Sequence, residues 1–524
     1  GVSALALSAP AFAAEAPADN DEQINSEADV EKAQNADIVV VGATRRGGVD
    51  VQDVPLVVNT VTNDQIEKLN LRDFREIQTV VPGLQMSSNS NGIGTTSSVR
   101  GVNFDVNASG NSGTIEYYLN DAPMTSNPLF QAMYDVGQIE VLRGPQGTLR
   151  GRAAPSGSIT ITNRRPSLTG VGGYIQGTAN DIGGMNVQGA IGVPIIQDVF
   201  GIRVSGLQDF NRGDQVRSIY SPIKPRNQTA SGRIVTSLNI NGVFDATGTY
   251  QYTDVKTRSF RQAASYNLFD STGAAAAVAI DPSDRLSIDE VPNTVHSRFE
   301  IYTWKAGLNV FGQRLEYVGG DISQKIDVYT SSDEANYFVG RDFGQATKTR
   351  PKQTSHEIRL QNTDKVAGMF DYSVGYFQQE LNSPTSLTSP TAIGGGGFLS
   401  TVVLTPVQRL GASKEESFFG NVTVHLGEST EFSGGARRIK YHATGQLLIN
   451  GTVNPAANQD STYKTTIFSL GVKHRFSDDF MVYASYGSSW RPGISVVGNF
   501  SLTPSALERS FMVLEPEESK SYEL

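Results

Sequence analysis

A chain of 524 residues with 43 basic and 53 acidic side chains and a pI near 5.2 has room for several domains, and it gives no electrostatic footing for nucleic acid. The absence of cysteine removes disulfides, thiol catalysis and Cys-ligated metals at once. No run of about 18 apolar residues occurs, which excludes a membrane-spanning helix but not a spanning barrel; the 53 Gly, 19 Tyr and 24 Phe at a mean hydropathy of −0.26 suit strands with one apolar and one wet face, and equally a large soluble β protein.

Residues 1–13, GVSALALSAPAFA, are small and apolar and end on Ala11-Phe12-Ala13, the A-x-A pattern read by signal peptidase. They are expected to be a signal-peptide remnant cleaved after Ala13 and to lie outside the fold. Residues 14–36, rich in Ala, Asp, Glu, Gln and Asn without apolar periodicity, read as a flexible tether. Out of it rises an island, Asp37-Ile38-Val39-Val40-Val41-Gly42-Ala43. Such a run of β-formers can pair along the exposed edge of a partner, or it can be the first strand of the next domain.

Residues 54–83 predict a strand and two short helices. Thr62 with Gln65 forms a capping box ahead of Ile66 and Leu69, and Asn70 is positioned to cap a second helix whose apolar face is Leu71, Phe74, Ile77 and Val80 or Val81, stopped by Pro82-Gly83. Then come Val99-Arg100-Gly101-Val102, a strand Ile115–Leu119, a turn over Asn120-Asp121-Ala122-Pro123, and the stretch IEVLRGPQGTLRG from Ile139 to Gly151. Here a strand ends at Arg143 and runs into Gly144, Pro145, Gly147 and Gly151, a loop of unusual backbone conformations. A guanidinium at the end of a buried strand requires an acidic partner or local carbonyls. Gly157–Thr162 closes a small α+β domain of about 120 residues.

Beyond Arg165 the pattern becomes alternation. Phe418, Gly420, Val422, Val424 and Leu426 share one strand face against Asn421, Thr423 and His425; Tyr302 to Val310 and Phe480 to Trp490 behave alike. Connections alternate too. Short turns at 196–198, 239–242, 310–313, 363–368, 426–429 and 476–479 are interleaved with long polar ones at 257–297, 327–353 and 382–414, the order expected of an outer-membrane barrel of about 14 strands between Tyr174 and Leu524.

From about residue 37 onward the chain resembles the TonB-dependent outer-membrane receptors. Asp37–Ala43 is similar to their TonB box, Val99-Arg100-Gly101 and Ile139–Gly151 to two plug motifs, Ser156–Arg164 to the closing plug strand, and EPEESKSYEL at the C-terminus to a barrel strand. Where the family commonly has an aromatic followed by Gly-Arg-Asn, this chain has Arg150-Gly151-Arg152-Ala153. The resemblance implies a transmembrane antiparallel β-barrel with an N-terminal α+β plug in its lumen. It divides the chain into a TonB box at 37–44, a plug at 45–165 and a barrel from 166 to 524, with about 14 of roughly 22 strands present and the C-terminal part absent.

It further implies active, TonB-driven import of a scarce extracellular ligand across the bacterial outer membrane, a ferric siderophore or other iron chelate being the default. Cobalamin, a saccharide or another organic compound are alternatives, as is a passive porin or surface-binding barrel. Arg100 and Arg143 match plug arginines that pair with barrel glutamates, and Glu523 matches one of those glutamates. The implied partners are the TonB complex, outer-membrane lipid and a small ligand, the implied state is a monomer, and no cofactor or covalent step is implied. No GxSxG or HExxH motif is present, and the five histidines are scattered singly. Asp281, Asp284, Asp289 and Glu290 form an acidic outer loop without EF-hand order. Ligand contacts are expected from residues 86–96 and 124–134 and from the long outer loops.

Overall fold

The computed structural model describes residues 5–8, 39–40, 49–50, 58–88, 95–99, 101–103, 113–145, 147–148, 155–263, 265–269, 275–279, 281–333, 343–393, 401–477, 480–495, 505–507 and 513–524. Its main sheet has 18 strands, each wall strand antiparallel to its neighbours in sequence order. Three positions in the wall are filled by two collinear segments: Gly344–Thr349 with Lys352–Asn362, Phe370–Asn382 with Thr385–Ile393, and Thr452–Val453 with Gln459–Ser477. Counting each as one and leaving out Leu5–Ser8 gives 14 positions from Gly172–Ala179 to Glu517–Glu523, the number the alternation predicts. Two of the breaks fall at Arg350-Pro351 and Ser383-Pro384, where a proline lacks the N–H that the ladder needs. Leu5–Ser8, inside the stretch expected to lie outside the fold, pairs with Gln176–Ala179 along the outer edge of the first wall strand.

The two faces of the wall invert the logic of a soluble protein. Phe418 is 68% exposed and Leu470 61%, while Ser417 and Glu415 on the other face are 1% exposed and Arg437 is fully buried. Apolar side chains point outward because hydrocarbon surrounds the wall; polar ones point inward because they meet a polar filling. At one end the strands close in short turns: Asn293–Val310 and Gln313–Ser331 are joined by Phe311 and Gly312 alone, both at positive φ (51° and 69°), the geometry of a two-residue hairpin turn. The long connections emerge at the other end.

A second, five-stranded sheet lies inside the wall, in the order Val58–Thr62, Val136–Arg143, Gly157–Asn163, Ile115–Leu119, Ala122–Met124. Its core is built from Val61, Phe74, Ile77, Ile139, Val141, Ile159 and Ile161, and the wall residues Ile301 and Ile322 join the same cluster. Tyr117 donates to or accepts from Ser97 Oγ at 2.6 Å, and burial pushes its phenol pKa up. The first helix, Asn63–Lys68, has the predicted Thr62–Gln65 capping box. The second differs from expectation: it is a 3₁₀ turn, Phe74–Thr79, capped by Asp73 in a box with Glu76. Asn70 instead takes a left-handed conformation (φ 54°) that ends the first helix, but the predicted apolar face survives, since Phe74, Ile77 and Val81 are buried.

Because the outer face meets lipid, Leu470→Arg is expected to cost about 2–4 kcal/mol of barrel stability. The check is the urea midpoint for unfolding from lipid vesicles, compared with that of the unsubstituted protein; an unchanged midpoint would place Leu470 away from hydrocarbon.

Candidate functional site

Among the described residues the plug meets the wall at the small apolar patch around Ile301 and Ile322 and through polar contacts made by a few short segments. The first is the hairpin tip Asn120-Asp121, where both residues sit at positive φ (51° and 72°) so that Leu119 can pair with Ala122. The tip reaches two wall strands. Asn120 Nδ2 donates to Thr249 Oγ1 (3.2 Å) and Thr303 Oγ1 (3.1 Å), and Lys305 Nζ lies 2.9 Å from Asp121 Oδ2 and 3.4 Å from Glu316 Oε1. Glu316 is also held by Arg314 at 3.1 Å and by Arg359, so Lys305 joins the hairpin to a wall network of alternating charge. Two amides grip the same segment, Gln353 Nε2 on Pro123 O and Gln324 Nε2 on Thr125 Oγ1, both at 2.7 Å.

The second contact is at Asp135, left-handed at φ 49° and with its carboxylate fully buried. Arg203 from the wall embraces it in fork fashion, Nε to Oδ2 at 2.8 Å and Nη2 to Oδ1 at 2.5 Å. Arg233 Nη1 donates to the carbonyls of Tyr134 (3.0 Å) and Asp135 (3.2 Å), and its guanidinium stacks 4.4 Å over the Tyr134 ring. Both charges are buried and fully engaged; such a pair adds little net stability yet is very costly to halve.

The third contact is the loop after Val136–Arg143. Arg143 Nη2 donates to Pro82 O at 2.6 Å, which ties the strand end to the stop of the 3₁₀ turn. Gly144 turns at φ +80°, and a Cβ added to it would stand 3.4 Å from Glu523 Oε1 on the last described wall strand. Pro145 lies against Gly487, where an added Cβ would come within 3.1 Å of Pro145 O. Thr148 then meets Ser469 Oγ at 2.7 Å and receives Asn421 Nδ2 on its carbonyl at 3.2 Å. Gly144 supplies the left-handed turn, and the loop after it meets four wall strands, closest to backbone where Pro145 lies over Gly487.

Above these contacts, at the end where the long connections emerge, the plug and wall enclose a cavity of about 930 Å³. Asn127, Phe130, Gln131 and Met133 form its floor on the plug side; Asn211, Asn227 and Asn293 stand at wall strand ends around it. The predicted segment 124–134 therefore lines the cavity, while 89–94 of the other predicted segment lie outside the described residues. Of the island 37–43 only Val39–Val40 is described, paired with Val49–Asp50; Asp37, Ile38, Val41, Gly42 and Ala43 lie outside the described residues, as do Arg100 and Gly151. Within the acidic loop, Asp289 is 3.5 Å from Arg261, and Asp281 takes Ser283 N and Oγ. Asp121, Asp135, Arg203, Arg233 and Lys305 escaped sequence reasoning. The signal was partial: Arg203, Arg233 and Lys305 fall on the wet face of the alternation, which identifies an inward residue but not its partner.

Two family models cover most of the chain: one described as TonB-dependent Receptor Plug Domain matches residues 50–158, and one described as TonB dependent receptor-like, beta-barrel matches residues 197–524. The pesticin receptor of Yersinia pestis is 27% identical over 183 residues, 35% of this chain and 27% of that protein. That of Yersinia enterocolitica is 32% identical over 137 residues, 26% of this chain and 20% of that protein. The matches thus span about a quarter or less of these relatives' length. Among solved structures, the ferric yersiniabactin uptake receptor FyuA from Yersinia pestis superposes with a TM-score of 0.70 at 17% identity, over 89% of this chain and 69% of that one. The siderophore receptor PiuA from Acinetobacter baumannii does so with 0.69 at 13%, over 92% and 71%. At these identities the likeness is one of fold.

Arg203→Met should strand the Asp135 carboxylate in a dry site at a cost of about 3–5 kcal/mol, and the double variant Arg203→Met/Asp135→Asn should recover most of it. The readout is the melting temperature of the purified protein in detergent; equal melting of single and double variants would count against the pair. Gly144→Val forces a β-branched residue into a left-handed turn against Glu523. It should loosen the loop, seen as faster protease cleavage near residue 144 and higher ion conductance in planar bilayers.

Proposed function

Since the chain belongs to the TonB-dependent receptors of the bacterial outer membrane, we propose that it imports a scarce extracellular iron chelate through the wall by displacing its own plug. The observation that carries this reading is the pairing of a cavity at the end of the long loops with a plug held to the wall by a few short polar segments and one small apolar patch. A ligand can dock without meeting the periplasm, and the plug can shift without unfolding. The pesticin-receptor relatives and the likeness to a ferric yersiniabactin uptake receptor support an iron chelate over cobalamin or a saccharide.

In this reading residues 37–44 are the TonB box, 45–165 the plug and 166–524 the wall, and the protein works as a monomer in lipid. The Val39–Val40 pairing with Val49–Asp50 supports an island able to form strand pairs, which is what capture by a periplasmic partner requires. Arg100, Arg143 and Glu523 act as the latch between plug and wall. The position of the Glu523 carboxylate beside Gly144, one residue beyond Arg143, supports that role. Work is done by differential binding and conformational shift: ligand and TonB each favour one plug position, and no bond is made or broken.

Deleting Asp37–Ala43 is expected to abolish uptake of a radioiron-labelled chelate by cells while leaving its binding to the cell surface intact. Uptake that persists at the original rate would replace this reading with passive diffusion.

A further inference from the structure

The cavity carries a charge balance that says what kind of ligand suits it. Three arginines and three aspartates line it: Arg72, Arg75 and Arg261 against Asp73, Asp209 and Asp214. Each arginine is already engaged within the chain. Arg75 Nε donates to Asp73 Oδ1 at 2.8 Å, Arg261 lies 3.5 Å from Asp289 and donates to Ser331 O at 2.8 Å, and Arg72 Nη2 donates to Asn70 Oδ1 at 2.8 Å. The carboxylate of Asp209, by contrast, receives only amides, Asn186 Nδ2 at 2.9 Å and Asn211 Nδ2 at 3.2 Å. Most of the remaining polar lining consists of amides and hydroxyls, with the rings of Phe130, Phe260 and Tyr329 among them.

Among the described lining residues the charges balance, so a multiply charged anion entering here would find no net positive charge to neutralise it. It would instead lose its hydration beside Asp209. An uncharged ligand loses little on leaving water, because the amides replace its hydrogen bonds and the rings cover its apolar parts. Resting on the import reading above, we propose that this cavity selects an electroneutral ligand rich in carbonyl, amide or hydroxyl groups and turns away polyanionic chelates. A neutral iron chelate and a neutral oligosaccharide share that chemistry, so the test must tell them apart.

The protein, purified in an uncharged detergent, is titrated calorimetrically with three probes: an uncharged ferric trihydroxamate, a triply anionic ferric tris-catecholate and an uncharged oligosaccharide of similar size. The trihydroxamate is expected to bind at least about tenfold more tightly than the tris-catecholate, with an affinity that stays flat as salt rises from about 50 to 500 mM. Asp209→Lys should then raise tris-catecholate affinity by about tenfold. Tighter binding of the tris-catecholate to the unsubstituted protein, weakening as salt rises, would overturn the proposal. So would an Asp209→Lys variant with unchanged discrimination, because selection would then lie outside this cavity. Binding of the oligosaccharide alone would sink the iron reading while leaving charge selection standing.

Discussion

A strand in hydrocarbon must find a protein partner for every backbone N–H and C=O, because there is no water to accept what is left over. That single requirement shapes everything else here. It forces strands to pair side by side in sequence order, it turns apolar side chains outward, and it leaves the polar face pointing into a lumen. With strands such as Phe200–Asn211 and Thr430–Ile449 presenting Arg203 and Arg437 inward, the wall encloses charged groups that need partners of their own. The plug answers that need. It supplies acceptors for Arg203, Arg233 and Lys305 while Arg437 and Arg359 find partners within the wall, and the wall is the reason a domain with Asp121 and Asp135 at its surface can be buried.

The contacts between the two bodies are of different strengths, and the differences are informative. At Asp135 two arginines, one carboxylate and two carbonyls form a closed set, with every charge dry and every donor aimed. Around Gly144 to Thr148 the loop is held by single hydrogen bonds and by close backbone approach, each worth about 0.5–1.5 kcal/mol net. At Asp121 the wall offers Lys305 an alternative acceptor in Glu316, so the lysine is not left alone if the hairpin moves. In the import reading proposed above, the closed set at Asp135 is the contact most costly to break, so Arg203 and Arg233 are the pivot about which the plug moves.

How much of this was legible before the structure follows from the range of the interactions. Alternation, turn residues and capping boxes are local, and they gave the wall, its 14 positions, the hairpin at Asn120-Asp121 and the first helix. The second helix failed locally as well: Asp73 outcompeted Asn70 because its carboxylate and Glu76 satisfy each other's neighbours at once, which a single Asn cannot do. The plug–wall partners are separated by 68 residues for Asp135 and Arg203 and by 184 for Asp121 and Lys305. No periodicity encodes such a pairing. The wet face of a strand tells which side chains look inward, and only the fold tells what they see. Arg143 shows the same limit: the sequence required a partner for it, and Pro82 O, 61 residues away, is one that no motif would suggest.

The paired breaks at Pro351 and Pro384 bear on how force travels. Above them Gly344–Thr349, Thr385–Ile393 and the first part of Thr401–Leu426 form a small sheet joined to the wall below through interrupted ladders. A strand without a break transmits a tug along its whole length; one with a proline at mid-height bends there first. At this side two wall positions bend at their prolines, while Gln313–Ser331 and Thr401–Leu426 run unbroken from rim to wall, so load applied to the rim is channelled into those two strands.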